Sequence, residues 1–253
     1  MTLILTELSS FGIAMAADSA VTFTSKTGRK YVIPNEAKKL QVIPYLNAGI
    51  SCWGLGSINN LSTDQWLANF INSNTSINTL KIFANELAKQ LNIHVPQNTS
   101  GSNGLGFHLA AFENYNGTLT PSFYHIHNVP STVLPGRGNS VNPNIFNANH
   151  DFPPQKFQQL VRKGKNYITR NGDYQLYANI FKSLENFFKK LQPIGITIPS
   201  SQNLLDRADY LVFQIRTMIE IYRLSNLVPG IGGGINYLTI NPTGIHSQGI
   251  RYF

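Results

Sequence analysis

Paired strand patterns that alternate with paired helical patterns are the feature of this sequence that most restricts its fold. The strand patterns cover residues 3–8 and 11–17, 39–43 and 47–53, 105–113 and 119–127, and 235–240 and 245–252. Strands joined by such short turns pair antiparallel, because a parallel pair needs a long crossover connection. The single strand–helix–strand alternation of a doubly wound parallel sheet is missing, which argues against a Rossmann-type fold.

Apolar residues at helical spacing follow the strand patterns, each time as two neighbouring helices. The helical patterns lie within residues 66–71, 80–91, 176–191 and 204–222. Ser62-Thr63-Asp64-Gln65 has the form of a capping box ahead of the first one. This order suits two antiparallel sheets packed face to face, with a helix pair outside each. We therefore predict an α+β fold, a four-layer αββα sandwich formed by a single domain over residues 1–253.

A segment rich in proline and asparagine interrupts this order. Prolines occur at five positions between residues 128 and 172, among several glycines and asparagines. Dense proline and glycine disfavour regular structure. We expect an insertion over about residues 128–172, with one short helix near residues 155–161, and a shorter polar excursion over residues 24–36.

The composition supports a globular protein without membrane helices. Of 253 residues, 42% are hydrophobic and only 13% are charged, roughly half the usual charged share. No apolar run approaches the roughly 20 residues of a membrane-spanning helix. Residues 1–7 lack the basic leader and apolar run of a secretory signal, and the single cysteine, Cys52, cannot form an internal disulfide. We expect a cytoplasmic protein with no membrane partner.

The net charge of +8 is unevenly distributed. Residues 154–193 hold eight Lys or Arg against Asp173 and Glu185. A basic stretch of this kind can contact an acidic partner, nucleic acid included. No base-reading motif accompanies it, so a solvated helix face and loop is the favoured interpretation and the acidic partner the alternative.

Two further motifs carry weaker signals. His125 and His127 lie on one face of a predicted strand and supply half of a metal site, but no third ligand follows at metal-motif spacing. Histidines at the surface or packed within the sheet are the favoured interpretation. The glycines of residues 230–234 lack the spacing of a phosphate-binding loop and precede a strand, which favours a close backbone approach. The sequence predicts no metal and no cofactor.

Thr2 is the first candidate for catalysis. If Met1 is removed, the Thr2 hydroxyl and a free α-amine lie on the same residue. A threonine hydroxyl is a weak nucleophile at neutral pH, but its own N-terminal amine can act as the base. The alternative is an ordinary second residue of a first strand.

Three segments follow Thr2 in a recognisable order. Residues 12–22 have the form G-x-x-x-A-x-D-S-x-x-T, residues 37–43 contain Lys38-Lys39 before an apolar strand, and residues 48–54 form a glycine-containing strand end. This series resembles the β-type subunits of the 20S proteasome and their bacterial relatives, within the N-terminal nucleophile (Ntn) hydrolases.

The resemblance implies specific roles. Thr2 would be the nucleophile, Asp18 and Lys39 the charged pair that activates it, and a backbone N–H near Gly54 an oxyanion-hole donor. Lys39 is preferred to Lys38 because it directly precedes the apolar strand. An ammonium near the threonine disfavours protonation of the amine, and an aspartate keeps that ammonium charged. A purely structural Asp18–Lys39 pair is the alternative.

The resemblance also implies a peptide or protein substrate and a homo-oligomeric ring or stacked dimer. Downstream, however, the chain departs from the family pattern. The family has an Asp and a Ser ahead of its glycine turn, where residues 227–231 read Leu-Val-Pro-Gly-Ile, and its S-G-S type segment is missing before Tyr174. Ser225 and Asn226 are the nearest polar replacements, with Ser19 as a further supporting residue. Two functions therefore stay open, a threonine peptidase or amidohydrolase and a catalytically inactive structural or binding subunit.

Overall fold

The computed structural model describes residues 2–24, 27, 30–33, 37–95, 104–129, 145–172, 174–199, 203–226 and 230–252. Within them the chain is mixed α/β, with antiparallel sheets. The strands are β1 Leu3–Ser9, β2 Gly12–Asp18, β3 Val21–Thr24, β4 Lys30–Ile33, β5 Leu40–Ile43, β6 Ala48–Gly54, β7 Ser57–Ile58, β8 Leu61–Ser62, β9 Leu105–Tyr115, β10 Thr118–His127, β11 Asn147–Phe152, β12 Tyr167–Gly172, β13 Ile235–Asn241 and β14 Gly244–Arg251. The helices are α1 Thr63–Ser73, α2 Leu80–His94, α3 Pro154–Val161, α4 Tyr174–Leu191 and α5 Leu204–Leu224.

The strands form two five-stranded sheets and two small hairpins. One sheet has the order β12-β1-β2-β13-β14, and the other β11-β10-β9-β6-β5. Each predicted strand pair is an antiparallel neighbour pair in one of these sheets. The turn between β9 and β10 shows why, because Asn116 and Gly117 both have positive φ (52° and 79°), as the tightest hairpin turns require.

The expectation of little regular structure was wrong for residues 145–172, which contain β11, α3 and β12. β11 pairs with β10 and β12 pairs with β1, so each extends one of the sheets at its edge. An edge strand has one ladder partner and a partly solvated surface, so it needs no continuous apolar pattern. The short helix predicted near residues 155–161 is confirmed as α3, which has proline at its start. Residues 130–144 lie outside the described residues.

Two smaller expectations also need correction. The polar excursion over residues 24–36 contains part of a separate hairpin, β3–β4. The predicted capping box at α1 does not form, since the Ser62 side chain makes no cap bond. The Thr63 hydroxyl instead donates to the Leu55 carbonyl at 2.6 Å, which ties the start of α1 to the end of β6.

Three hydrophobic clusters make up the core. One joins the two sheets through residues such as Ile4, Met15 and Phe123. A second joins α1 and α2 to the sheet that contains β6, β9 and β10, and a third joins α4 and α5 to the sheet that contains β1 and β2. Leu3 and Ile4 belong to different clusters, so β1 buries both of its faces, which explains its apolar sequence. No helix in the described part of the chain is long and apolar enough to cross a bilayer.

Candidate active site

The predicted nucleophile, cation and oxyanion-hole segment meet at one cavity. Thr2, Lys39 and Gly54 all line a cavity of about 480 Å³. Thr2 precedes β1, Lys39 precedes β5 and Gly54 ends β6, so two different sheets contribute to its wall. The fold thus brings together residues that lie up to fifty positions apart in the chain.

Asp18 is the centre of the hydrogen bonds behind this cavity. Its carboxylate is fully buried at the end of β2 and accepts the N–H of Leu3 at 2.9 Å and the N–H of Gly232 at 3.1 Å. Lys39 Nζ donates to its two oxygens at 3.0 and 3.1 Å. A buried ion pair is tolerated only when such bonds satisfy it. Asp18 therefore fixes three parts of the chain relative to one another: the start of β1, Lys39 and the turn at residues 230–234, which we call the glycine turn.

Lys39 is held as a fixed positive charge. Its side chain is 6% exposed, and Nζ also donates to the Ala20 carbonyl. Two carboxylate oxygens and one carbonyl match the three N–H donors of an ammonium group. With its donors directed at these acceptors, Lys39 is suited to act through its charge and not through proton transfer.

The glycine turn is attached to the end of β2. The N–H groups of Ser19 and Ala20 donate to the Gly232 carbonyl at 3.2 and 3.0 Å, and the Ser19 hydroxyl donates to the Gly234 carbonyl at 2.7 Å. Gly233 has a φ of 73°, a conformation that side chains other than glycine rarely adopt. Ser19 thus supports the turn that holds Asp18 and does not itself line the cavity.

Gly54 occupies a position where only glycine fits. Its φ is 99°, and a Cβ atom there would lie 1.8 Å from the Gly104 carbonyl oxygen. The backbone of β6 therefore comes very close to the chain entering β9, and its last residue opens onto the cavity.

Cys52 also lines the cavity but is unsuited to be a nucleophile. Burial raises the pKa of its thiol to about 12, although the nearby Lys39 charge acts in the opposite direction. The reactive form of a cysteine is the thiolate, which is scarce at neutral pH in such an environment. Thr2 is thus the better candidate nucleophile at this cavity.

Sequence reasoning missed two residues next to Lys39. Asp64, in the first turn of α1, lines the cavity and accepts the N–H of Lys38 at 2.9 Å. The Gln41 side chain in β5 donates to the carbonyls of Lys38 and Asp64. A buried glutamine within an otherwise apolar strand is the one sequence signal that could have identified this contact.

The two replacements suggested for the missing family residues lie elsewhere. Ser225 and Asn226 are exposed at the end of α5, where the Ser225 hydroxyl donates to the Tyr222 carbonyl at 2.9 Å. Neither is among the described residues that line the cavity. Residues 227–229 lie outside the described residues.

The histidines of β10 are core residues. His125 and His127 are fully buried, and their rings lie 4.3 Å apart between centroids. The described residues contain no group of three or more His, Cys, Asp or Glu arranged to hold a metal ion. The pair is thus placed as sheet packing predicts.

Within the basic segment, Arg170 is directed inward, while Lys163 and Lys165 are exposed. Arg170 donates to Glu185 at 2.7 Å and to Gln214 at 3.2 Å, which links β12 to α4 and α5. Part of the predicted positive surface is therefore used in internal contacts.

Comparison with known proteins identifies the fold. No family model matches the chain, and no curated protein matches it. Among solved structures, the Gly-1 mutant of Anbu from Hyphomicrobium sp. strain MC1 aligns with a TM-score of 0.56 and 13% identity, over 99% of this chain and 87% of that one. Anbu is a bacterial proteasome-like protein with the Ntn-hydrolase fold. At this level of identity the similarity concerns the fold alone, and the chain thus shares the proteasome-like fold of Anbu.

Proposed function

We propose that this protein is an N-terminal threonine hydrolase that cleaves amide bonds of peptides through Thr2. The observation that carries the proposal is the buried Asp18–Lys39 pair, because Lys39 and Thr2 line the same cavity. Asp18 also accepts the N–H of Leu3. The same carboxylate therefore binds the Lys39 ammonium and the residue that directly follows Thr2.

The reaction begins after removal of Met1. The free amine of Thr2 takes the proton of the hydroxyl, and the oxygen attacks the substrate carbonyl carbon. A backbone N–H at the end of β6, near Gly54, stabilises the resulting oxyanion. The C–N bond then breaks as the Thr2 ammonium returns its proton to the leaving amine, which leaves an ester on Thr2. Water, activated by the same amine, hydrolyses this ester and regenerates the enzyme.

Lys39 supports both proton transfers through its charge. A cation near the Thr2 amine favours the unprotonated amine, which is the form that serves as the base. The same charge stabilises negative charge that develops on the threonine oxygen. Asp18 keeps Lys39 charged and oriented inside the protein.

The proposal extends to architecture and assembly. The three hydrophobic clusters suit a four-layer αββα sandwich in a single domain. Since proteasome-like relatives are oligomeric, we propose a homo-oligomeric ring or stacked dimer, located in the cytoplasm. An acidic partner at residues 154–193 belongs to the second candidate function, the binding subunit described below.

Labelling of Thr2 tests the function directly. Intact-mass analysis of the native protein first establishes whether Met1 is removed. The processed protein should then be acylated at Thr2 by threonine-directed electrophiles, whereas a variant that retains residues ahead of Thr2 should be inert because it lacks the free amine. Lys39→Ala should lose labelling as well. Processed, folded protein that is not labelled would contradict the proposal.

A catalytically inactive structural or binding subunit is the second candidate function. One specific observation favours it. Residues 227–229 are Leu-Val-Pro, whereas the family that the sequence resembles has supporting polar residues at this place. Loss of one member of a catalytic unit costs several orders of magnitude in rate while the remaining residues stay in place. An unreactive Thr2 in a folded, Met1-free protein would favour this candidate.

A further inference from the structure

Two side chains that the proposed reaction does not use hold the backbone directly ahead of Lys39. Oδ2 of Asp64 accepts the N–H of Lys38 at 2.9 Å. Nε2 of Gln41 donates to the Lys38 carbonyl at 3.2 Å and to the Asp64 carbonyl at 2.8 Å. Both polar groups of the Lys38 backbone are therefore bonded, and β5 is joined to the first turn of α1. We call Asp64 and Gln41 the Lys38 clamp.

The clamp acts on the backbone and not on the Lys38 side chain, which is exposed. The neighbouring residues are fixed as well, because Ala37 donates its N–H to Ser19 at 3.1 Å and Lys39 accepts from the N–H of Cys52 at 2.9 Å. If the clamp were removed, Lys38 would lose the hydrogen bonds of its backbone N–H and carbonyl described above. Ala37 and Lys39 would keep theirs. The side chain of Lys39 extends from this segment to Asp18.

The sequence of β5 suggests that the clamp has a purpose beyond packing. The strand reads Leu-Gln-Val-Ile, and Gln41 is only 7% exposed. Burial of an amide in an apolar strand is unfavourable unless its hydrogen bonds are made, and an apolar residue would fill the place at lower cost. Gln41 makes its bonds to the carbonyl of Lys38, the residue directly before Lys39, and to the carbonyl of Asp64.

We infer that Asp64 and Gln41 are positioning residues that set the location of the Lys39 ammonium relative to Thr2. The inference rests on the proposed function. The influence of a charge on a neighbouring amine falls with distance, and a displacement of about 1 Å in a catalytic group can cost about a hundredfold in rate. An acidic residue in the first turn of a helix also stabilises the helix through its dipole, which is the competing explanation for Asp64.

The rate of Thr2 acylation separates these explanations. Asp64→Ala and Gln41→Leu should each lower the rate about ten- to a hundredfold, while Asp64→Asn, which keeps an acceptor for the Lys38 N–H, should recover most of it. Asp206→Ala is the matched control, because Asp206 lies in the first turn of α5 and accepts the N–H of Asn203 at 3.2 Å. It should change the rate by less than about twofold. Equal losses in the Asp64 and Asp206 variants would overturn the inference.

The pH dependence adds a readout that a merely structural role would not move. The Thr2 amine shares its cavity with the Lys39 ammonium and the Asp64 carboxylate, and Asp18 is bonded to Lys39, so the pH test uses Gln41→Leu, which changes no charge. If this variant displaces the ammonium, the Thr2 amine stays protonated to higher pH, and the acid limb of the acylation rate should shift upward. NMR titration of the Thr2 amine in Met1-free protein measures the same shift without any reaction. Should wild-type protein not be acylated, the proposed function fails, yet an upward shift in Gln41→Leu would still support the positioning role. An unchanged titration midpoint in this variant would overturn it.

Discussion

At the scale of single residues, the chemistry of the candidate site depends on what burial does to each ionisable group. Asp18 and Lys39 satisfy one another inside the protein, and Cys52 is kept as a thiol. Glu7, on the strand that follows Thr2, is a different case. It is fully buried and paired with Arg207 of α5, yet burial raises the pKa of Glu7 to about 7, and the guanidinium opposes this shift only in part.

This shift predicts a pH-dependent stability. Because the pKa of Glu7 is higher in the folded protein than in the unfolded chain, the folded state binds the proton more tightly, and its stabilising effect is complete below about pH 4.5. It is lost as the pH rises through about 7, with a total change on the order of 2–3 kcal/mol. Glu7→Gln should remove this dependence. Urea denaturation between pH 4 and 8 checks the prediction, and an equal slope in both proteins would contradict it.

The candidate site residues were predicted from short segments whose order resembles a known family. Thr2, Asp18, Lys39 and Gly54 lie in or beside the ends of strands whose patterns are visible in the sequence, and Thr2, Lys39 and Gly54 reach the same cavity. Asp64 and Gln41 could not be assigned, because their bonds join a helix start to a strand and depend on tertiary structure. The predicted roles of Ser225 and Asn226 rested only on proximity in the chain.

At the scale of elements, the strands and helices with a buried face were predictable, whereas two of the four edge strands of the main sheets, β11 and β12, were not. β1 and β2 are buried along their whole length because both of their faces are covered, and most of their residues are apolar. β11 has the sequence Asn-Ala-Asn-His-Asp-Phe and is only half-buried, so its ladder bonds to β10 determine its conformation. The small hairpins β3–β4 and β7–β8 lie outside the two main sheets, where no periodic pattern identifies them.

The end of β6 offers a stability prediction at this scale. Gly54→Ala should lower the free energy of unfolding. Backbone strain at a φ of 99° alone accounts for about 1–3 kcal/mol, and the overlap of the Cβ atom with the Gly104 carbonyl adds to it. Gly56→Ala is the matched control, because no atom lies within 4 Å of the Cβ position there. Equilibrium denaturation of the two variants gives the comparison. Equal stability of the two variants would show that the backbone at Gly54 can shift to accommodate a side chain. The proposed oxyanion-hole segment would then not be rigid.

At the scale of the whole molecule, α4 and α5 present exposed aromatic rings on their outer surface. Phe187 and Phe213 are 54% and 42% exposed, and both rings pack near Phe188, with centroids 6.0 and 6.1 Å away. Phe188 itself is buried, so each of the two exposed rings borders the core at this residue. Exposed aromatic groups of this kind are typical of contacts with other proteins.

This surface gives the assembly proposal a direct test. A symmetric contact between copies would bury both rings, and aromatic rings contribute a large share of the apolar area in such interfaces. We expect wild-type protein to form an oligomer and the double variant Phe187→Asp/Phe213→Asp to dissociate, because the carboxylates would be desolvated at the contact. Leu119→Asp is the control, since Leu119 is 47% exposed near the β9–β10 turn and has no role in the α4–α5 surface. Multi-angle light scattering over micromolar concentrations measures the masses. A wild-type monomer would contradict the assembly, whereas an oligomer that survives the double variant would place its contacts on another surface.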